Sequence, residues 1–469
     1  MDVFQQITDF LHTGIQWYNE YVGGYLIVAM LIPVGVFFAF KFKFLHITKL
    51  RHAFRVISGK YDKNKDTGDI NHFRALTTAL SATVGTGNIV GVALAIQWGG
   101  PGAIFWMWIV AFFGMMLKFV ESTLGLKYRK INQDGSVSGG PMYYIEYGLK
   151  NKLGKFAKIL AVIFAVAAVI CSFGTGNMAQ ANSISDALFT SYGVDTWHTG
   201  LVIMMLTLLV IIGGIKRIAS VTSKLVPFMA VFYVLTALVI IGVMYKEIPG
   251  AFAMIFGDAF TGTAATGGFA GSVFIMTLKF GVQRGLFSNE AGQGSAPIAH
   301  AAAKTEYPVR EGLVASVGPL IDTLIICTIT AMVILVTGAW TTGAEGVAIT
   351  IDSFRIGLEP IGLGLVSRHL ISLGLLLFAF STIISWSYYG SRAVQYLFGY
   401  KAIKPYYWVF GAFVFLGSIW GLDVVWDFVD MVITFMTIPN LIGIVLLAPV
   451  VKKEIDKYFQ AMKETKTLY

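Results

Sequence analysis

The sequence predicts an all-α polytopic membrane protein with eleven transmembrane helices, its N-terminus outside and its C-terminus inside. Three observations support this fold class. Of the 469 residues, 56% are hydrophobic and only 13% are charged, whereas soluble globular proteins carry about 25% charged residues. Apolar runs long enough to cross a bilayer recur along the chain. Lys and Arg are concentrated in alternate connections between these runs.

The first predicted span follows a segment that carries Asp2, Asp9 and Glu20 but neither Lys nor Arg. This segment lacks the positive flank of a cleavable signal peptide, so we expect the span to be retained. All the predicted spans lie near residues 21–40, 73–97, 102–126, 156–189, 199–214, 219–245, 268–300, 312–337, 366–390, 405–421 and 425–449.

The basic residues predict the orientation. Nine Lys and Arg follow the first span, between Lys41 and Arg74, and every second connection after it is again basic, whereas the others are mainly acidic. Cytoplasmic loops carry the excess of Lys and Arg, so the segment after the first span is predicted to be cytoplasmic. Membrane orientation thus explains the net charge of +9 without nucleic acid as a partner. Cys171 and Cys327 lie inside apolar runs and show no disulfide or metal-ligand spacing.

When the span at 21–40 is set aside as an extra N-terminal helix, ten spans remain in a single transmembrane domain, 1–469. They divide into two groups of five, at 73–245 and 268–449. An odd number of spans in each group gives the two groups opposite orientations, which predicts an inverted repeat. In such repeats the first span of each half is often interrupted near the middle of the membrane.

The second span carries the tetrapeptide Gly85–Asn88 (GTGN) at its middle. Glycine and asparagine weaken a helix, so we predict two half-helices separated by unwound chain. Lipid tolerates such a break only where protein or a water-filled cavity satisfies the freed backbone groups. We therefore expect a site for a small solute and a cation at residues 83–88. The alternative is that the glycines only allow another helix to pack closely.

The seventh span is predicted to be interrupted as well. It begins as an apolar run, meets polar residues and glycines over 279–285, and resumes at Leu286. Paired interruptions in matching positions of two halves indicate a transport site. Lys279, Arg284 and Glu290 are expected to pair with one another and hold the interrupted helix, with gating as the alternative.

Three further stretches carry a resemblance: GGPGAIFWMW at 99–108, GGPMYYI at 139–145 and GLFSNEAGQGSAPIAHAAAKT at 285–305. Together with the broken second span, they resemble the alanine or glycine:cation symporter family from about residue 69 to the last span. That family belongs to the amino acid, polyamine and organocation superfamily. The resemblance therefore implies a LeuT-type 5+5 inverted repeat with one extra N-terminal helix, in the plasma membrane. It also implies sodium-coupled import of small neutral amino acids, alanine or glycine, with no cofactor besides the coupling ion.

A zwitterionic amino acid needs positive charge for its carboxylate and acceptors for its ammonium group. The N–H groups that open a half-helix carry about +0.5 of an elementary charge, and the closing carbonyls carry the opposite. We assign the carboxylate to Thr86, Gly87 and Asn88. We assign the ammonium group to carbonyls around Thr277, Phe280 and Gly281. Phe280 either caps the pocket or packs as an ordinary aromatic residue.

Sodium prefers oxygen ligands, like other hard cations. In the LeuT-type pattern that the resemblance implies, carbonyls of the first broken helix join a carbonyl and two hydroxyls of a later helix. Phe378, Ser381 and Thr382 in the ninth span follow one another at i, i+3 and i+4, on one helical face. Their partner carbonyls are expected near Ser81 and Val84. Alternatively, the two hydroxyls bond only to their own helix backbone.

Other polar residues inside spans are further candidates. The fourth span repeats GTGN at 174–177, so Phe173, Asn177 and Gln180 are expected to line the cavity, with packing and gating as alternatives. Trp386, one turn beyond Thr382, is a pocket wall or a core residue.

Ionisable residues inside or beside spans are functional candidates by default, because burying a charge in a membrane is costly. Lys118 and Glu121 in the third span lie close to its basic end, where their side chains can reach the interface. Asp322 in the eighth span is a candidate proton or cation site. Asp69, in the segment before the second span, is a candidate for the inner gate.

An enzyme is disfavoured, since the seven histidines form neither an H-E-x-x-H motif nor a paired metal spacing. A channel is disfavoured because filters usually come from repeated subunits or rings. A proton-coupled transporter or an exchanger of the same fold remains as the alternative. Asp322 or Lys279 as a proton site would favour it, whereas Ser381 and Thr382 facing the first break favour sodium.

Overall fold

The computed structural model describes residues 13–62, 66–132, 135–261, 270–420 and 422–464. Within these ranges the chain is almost entirely helical, and a short antiparallel hairpin pairs β1, Lys130–Ile131, with β2, Val137–Ser138. The helices, numbered α1 to α21 in chain order, are Gly24–Lys41, Leu45–Thr48, Leu50–Ile57, His72–Thr83, Val90–Gly99, Ala103–Lys127, Pro141–Leu153, Lys155–Phe173, Ala179–Tyr192, Thr196–Ile211, Gly214–Val243, Ile248–Thr261, Ala270–Asn289, Ala296–His300, Pro308–Pro319, Thr328–Thr337, Val347–Leu358, Ser367–Phe398, Ile403–Ile419, Leu422–Leu446 and Ala448–Glu464.

Among the described residues, seven helical stretches are long and apolar enough to cross a membrane. An eighth candidate is formed by α20 and α21, which meet at a bend of 59°. Helices also occupy the remaining predicted positions, but the second span is divided into short pieces and α10 is short. The number of crossings and the orientation of the termini stay predictions. The multi-pass character of the chain is confirmed.

Helix α6 lies at the centre of the packing, against α1, α13, α14 and α15. Small residues allow this close approach: a Cβ at Gly114 would come 2.8 Å from that of Ala291, and one at Gly125 would come 2.7 Å from that of Pro297. Lipid tails give apolar helices little reason to associate, so such interfaces depend on close van der Waals packing. This packing holds the second half of the seventh span against α6.

Several amphipathic or short helices outside the predicted spans are additions to the sequence prediction. They are α3, α7, α12, α17 and α21, and they lie between the long helices or after the last one. Taken alone, each of these helices is too short or too polar to cross a bilayer, so hydropathy does not reveal it.

Candidate functional site

The predicted break in the second span is confirmed. Helix α4 ends at Thr83, a single tight turn follows at Thr86–Asn88, and α5 begins at Val90. Every residue of this break is buried. The protein, rather than water or lipid, therefore has to satisfy the freed backbone groups.

Two side chains satisfy the first backbone amides of the break. The Gly85 N–H donates to Asn88 Oδ1 at 2.9 Å, and the Thr86 N–H donates to Gln180 Oε1 at 3.2 Å. The Thr86 hydroxyl is buried and has no hydrogen-bond partner among the residues that the structure describes. A Cβ at Gly85 would overlap the Thr382 hydroxyl and come 3.0 Å from Gln180 Oε1, so glycine is required here for the close approach of three helices.

The Asn88 side chain connects the break to a buried carboxylate. Its Nδ2 donates to Asp322 Oδ1 at 2.7 Å, and the Ser288 hydroxyl donates to Asp322 Oδ2 at 2.5 Å. The Thr323 hydroxyl also donates to Asp322 Oδ2, at 2.8 Å. Asp322, which the sequence marks only as an ionisable residue in an apolar helix, thus lies directly beside the first break. In the sequence, the one sign of this position of Asp322 is that its neighbours are apolar.

The predicted break over 279–285 is wrong in position. Helix α13 runs continuously through these residues to Asn289, and the chain unwinds afterwards, between Glu290 and Ser295. Glu290, Gly292 and Gly294 have φ angles of 55°, 93° and 80°, which a right-handed helix cannot accommodate. The seventh span is therefore interrupted, about ten residues later than its first polar residue suggests.

The glycines within 279–285 serve packing instead. A Cβ at Gly281 would come 2.5 Å from the Ala103 carbonyl oxygen, and one at Gly285 would come 3.3 Å from Met107 Cα. Both contacts are with α6. In the sequence, a glycine at a helix crossing looks the same as a glycine at a helix break. The two can be distinguished only when the position of the neighbouring helix is known.

The three residues assigned to the ammonium group accordingly lie away from the first break. The Thr277 hydroxyl donates to the Gly99 carbonyl at 2.7 Å, and the Phe280 ring lies 5.5 Å from that of Trp98. Gly99 ends α5, about 16 Å along the helix axis from Asn88 at 1.5 Å per residue. Gly281 contacts α6, and the carbonyls of all three belong to a regular helix. The interruption on which this assignment rested lies instead after Asn289.

The charged residues near 279–285 do not pair with one another. Arg284 pairs with Asp430 of α20, and Lys279 Nζ donates to the Glu20 carbonyl at 3.0 Å. Glu290 accepts from the Ser295 hydroxyl at 2.5 Å and from Trp386 Nε1 at 2.8 Å. The expected mutual pairing is wrong, since each residue has its partner on another element.

The residues predicted for sodium meet in one place. The Ser381 hydroxyl lies 2.8 Å from the Phe378 carbonyl oxygen and 3.2 Å from that of Ser81. The Thr382 hydroxyl lies 3.2 Å and 3.0 Å from the same two oxygens. Two carbonyls and two hydroxyls from α4 and α18 therefore converge without any formal charge. Val84, the first residue after α4, is fully buried beside them.

The remaining residues predicted to line the cavity lie in two different environments. Gln180 faces the first break, and Trp386 packs on Gly176, where a Cβ would overlap the indole ring. Asn177 instead donates from Nδ2 to the Phe410 carbonyl at 2.8 Å. Phe173 lies among the aromatic residues of α19, with its ring 4.6 Å from that of Phe413. Asn177 and Phe173 thus hold α8 and its following turn against α19.

Hydrogen bonds to backbone groups join the segment before α4, at residues 67–69, to the segment after α14, at residues 301–305. We call this set of contacts the Arg129 clasp. The Asp69 N–H donates to the Ala302 carbonyl at 2.7 Å, and the Asp69 carboxylate accepts from the Val137 N–H at 3.0 Å. The Arg129 guanidinium donates to four carbonyls on both strands of this contact, at 2.8–3.1 Å: Thr67, Ala301, Ala303 and Thr305. These bonds hold together the ends of the two broken spans that the topology predicts to face the cytoplasm.

A bundle of apolar helices around two interrupted spans, with neutral oxygens and backbone dipoles turned inward, is the architecture of a secondary transporter. The comparisons agree. The model of the sodium:alanine symporter family matches residues 8–469, and this chain belongs to that family. It is a transporter for amino acids and a cation, and not an enzyme.

Individual relatives match along nearly the whole chain. The sodium/alanine symporter AgcS of Methanococcus maripaludis is 44% identical over 95% of this chain and 96% of its own. A putative sodium/proton-dependent alanine carrier, YrbD of Bacillus subtilis, is 37% identical over 90% of this chain and 87% of its own. Among solved structures, MhsT in complex with L-phenylalanine superimposes with a TM-score of 0.60 at 15% identity, over 81% of this chain and 89% of that one. This last likeness concerns the fold.

Proposed function

We propose that this protein imports alanine, glycine or a similarly small neutral amino acid together with sodium, by alternating access across the plasma membrane. The observation that carries the proposal is the convergence of the Ser81 and Phe378 carbonyls with the Ser381 and Thr382 hydroxyls. Such a set of neutral oxygens suits a hard monovalent cation. The Val84 carbonyl is the proposed fifth ligand.

The proposed carboxylate site is formed by Thr86, Gly87 and Asn88. The amides at the break face Asn88 Oδ1 and Gln180 Oε1, which a substrate carboxylate would displace, and the unpartnered Thr86 hydroxyl supplies a further donor. The start of α5 adds the positive end of its helix dipole. No charged side chain is needed for this recognition.

The proposed ammonium site is the turn that ends α13. A Cβ at Gly87 would lie 3.0 Å from the Phe287 ring and 3.1 Å from Ser288 Cα, so the first break lies against the last turn of α13. The end of α13 carries the negative end of its helix dipole. Asp322, held by Ser288 and Asn88, adds a formal negative charge nearby.

Pocket size supports a small substrate. Gly87 has room for a hydrogen alone on the side facing Phe287, and Trp386 fills the space beside Gly176. A hydrophobic pocket separates substrates that differ by one methylene by only about 1–3 kcal/mol. We therefore expect a preference for alanine and glycine rather than absolute exclusion of the next larger side chains.

Alternating access would follow from sodium joining α4 to α18. When these oxygens are bridged by the ion, the first half of the broken span is held to α18. Release to the inside would also require separation of the Asp69–Ala302 contact and of the Arg129 clasp. The internal repeat of 73–245 and 268–449 would supply the two halves that rock against each other.

Uptake of labelled alanine into proteoliposomes tests the proposal. We expect accumulation with an inward sodium gradient and none with a proton gradient alone. Labelled glycine should behave like alanine, and a larger neutral amino acid should accumulate more slowly. Accumulation that ignores sodium and follows protons would refute the ion assignment.

Proton-coupled transport or exchange is the second candidate, and the position of Asp322 favours it. This carboxylate is fully buried and is connected by one side chain to the proposed substrate site. Buried carboxylates in spans commonly relay protons. Asp322→Asn separates the candidates. Proton coupling predicts that proton-driven uptake is lost while exchange is retained. Sodium coupling predicts that sodium-driven uptake persists at saturating alanine, with a higher half-saturating alanine concentration because the variant also loses the charge beside the proposed ammonium site.

A further inference from the structure

A cleft of about 830 Å³ opens beside the helix bundle. Its walls come from the β1–β2 hairpin, α7, the first turns of α8 and the end of α18. None of its lining residues belongs to α4, α5, α13 or α14, so the cleft is separate from the proposed substrate path. It lies at the end of α8 that the charge pattern predicts to be cytoplasmic.

The cleft is basic. Lys130, Lys158 and Lys401 line it. Among its described lining residues the one carboxylate is that of Glu146, which accepts from the Tyr396 hydroxyl at 2.5 Å. None of these lysines forms an ion pair with a carboxylate that the structure describes. Three ammonium groups around one cavity favour an anion, because their mutual repulsion is relieved when it binds.

An apolar groove continues from the cleft along the outer face of α8. Val162 lines the cleft and both following sections of the groove. The first section is also lined by Lys155, Lys158, Ile159 and Ile163, and the second by Ile163, Val166, Ala167 and Ile170 of α8 with Val432 and Phe435 of α20. The α8 positions recur every three or four residues, so they form one continuous stripe. Several of them are exposed on the face of the helix that would meet lipid.

The length of the groove fits one leaflet. From Lys158 to Ile170 an α-helix rises about 18 Å at 1.5 Å per residue, and half of the hydrocarbon core measures about 15 Å. The groove therefore reaches from the basic cleft to about the middle of the membrane. A free phosphate would occupy only part of the cleft and would leave the groove unoccupied.

We propose that the cleft and groove bind an anionic phospholipid of the inner leaflet. The phosphodiester headgroup lies among Lys130, Lys158 and Lys401, and one acyl chain lies along α8 past Val162. Basic pockets next to spanning helices bind anionic headgroups in this manner. The tyrosines of the cleft, Tyr143, Tyr147 and Tyr396, supply hydroxyl and ring contacts to the glycerol region.

Native mass spectrometry of the full chain, purified in detergent and stripped of lipid, tests this. The probes are dioleoylphosphatidylglycerol, dioleoylphosphatidylcholine and sodium phosphate. We expect one tightly retained phosphatidylglycerol, and about 100-fold weaker binding in the Lys130→Gln/Lys158→Gln/Lys401→Gln variant, at about fivefold per lysine. Val162→Trp, which blocks the junction of cleft and groove, should weaken it at least tenfold.

The control carries the same loss of charge elsewhere on the predicted cytoplasmic surface: Lys216→Gln/Lys224→Gln/Lys453→Gln. It should bind phosphatidylglycerol like the unmodified protein. Equal loss in this control would refute the site, since the effect would then be diffuse surface charge. Equal binding of phosphatidylcholine, or displacement of the lipid by millimolar phosphate, would refute the anionic lipid as the occupant.

Discussion

Replacement of Thr382 by alanine removes one of the four oxygens that meet between α4 and α18. Its hydroxyl lies 3.0 Å from the Ser81 carbonyl and 3.2 Å from that of Phe378, so a cation bound by those carbonyls would also contact it. A hydrogen bond or polar contact to a charged group contributes about 1.5–3 kcal/mol. Loss of this contact should weaken sodium binding about 10- to 150-fold.

The assay is alanine uptake into proteoliposomes at increasing sodium concentration. We expect a higher sodium concentration for half-maximal uptake in Thr382→Ala, with the maximal rate approached again at saturating sodium. Thr382→Ser keeps the hydroxyl and should stay within about threefold of the unmodified protein. Thr236→Ala is the matched control, because that hydroxyl bonds only to its own helix at the Phe232 carbonyl, 2.9 Å away.

A Thr382→Ala variant whose sodium requirement changes less than twofold would refute the ion site. Equal shifts in Thr382→Ala and Thr382→Ser would also contradict the reasoning, since a packing change rather than the missing oxygen would then be responsible. Binding of sodium and alanine is linked reciprocally. The weaker sodium affinity should therefore appear as weaker alanine binding at low sodium.

Three further predictions rest on other contacts. Gly87→Val should abolish alanine binding in equilibrium dialysis while the protein remains monodisperse in size-exclusion chromatography, because its Cβ would meet Phe287 at 3.0 Å; unchanged affinity would remove Gly87 from the site. Phe173→Leu, in the cluster against α19, should leave the half-saturating alanine concentration within twofold, and a tenfold change would restore it as a pocket wall. Burial, with the nearby charges of Arg310, Lys49 and Arg55, lowers the pKa of His52 to about 4, so its contact with Tyr458 should weaken as pH falls from about 6.5 toward 4. Hydrogen exchange in α21, corrected for intrinsic rate, should increase over that range and lose this dependence in His52→Gln.

The first break could be predicted in part, because Gly85 to Asn88 weaken a helix. The same tetrapeptide at 174–177 stays within a continuous helical stretch, so the break also depends on what surrounds these residues. The shared position of the Ser381 and Thr382 hydroxyls could also be predicted, since helical spacing alone puts them on one face with the Phe378 carbonyl. The positions of the long helices follow from hydropathy in the same way.

The second break depends on neighbours that lie far away in sequence. Gly281 and Gly285 are needed because α6 crosses α13 there, and the chain unwinds only where Glu290, Gly292 and Gly294 take positive φ angles. A glycine in the sequence indicates that the backbone needs either space for a neighbouring helix or conformational freedom. It does not indicate which of the two is needed.

By itself, the sequence determined that the chain crosses a membrane repeatedly, where its long apolar helices lie, and that residues 85–88 weaken one of them. Only the tertiary structure decided that Asp322 meets Asn88, that Trp386 meets Glu290, and that Phe173 and Phe280 pack elsewhere. The physical reason is the distance along the chain over which each effect acts. Backbone preference and hydropathy act over a few residues, whereas a binding site consists of contacts between helices, and these depend on how side chains from distant parts of the chain fill the same space.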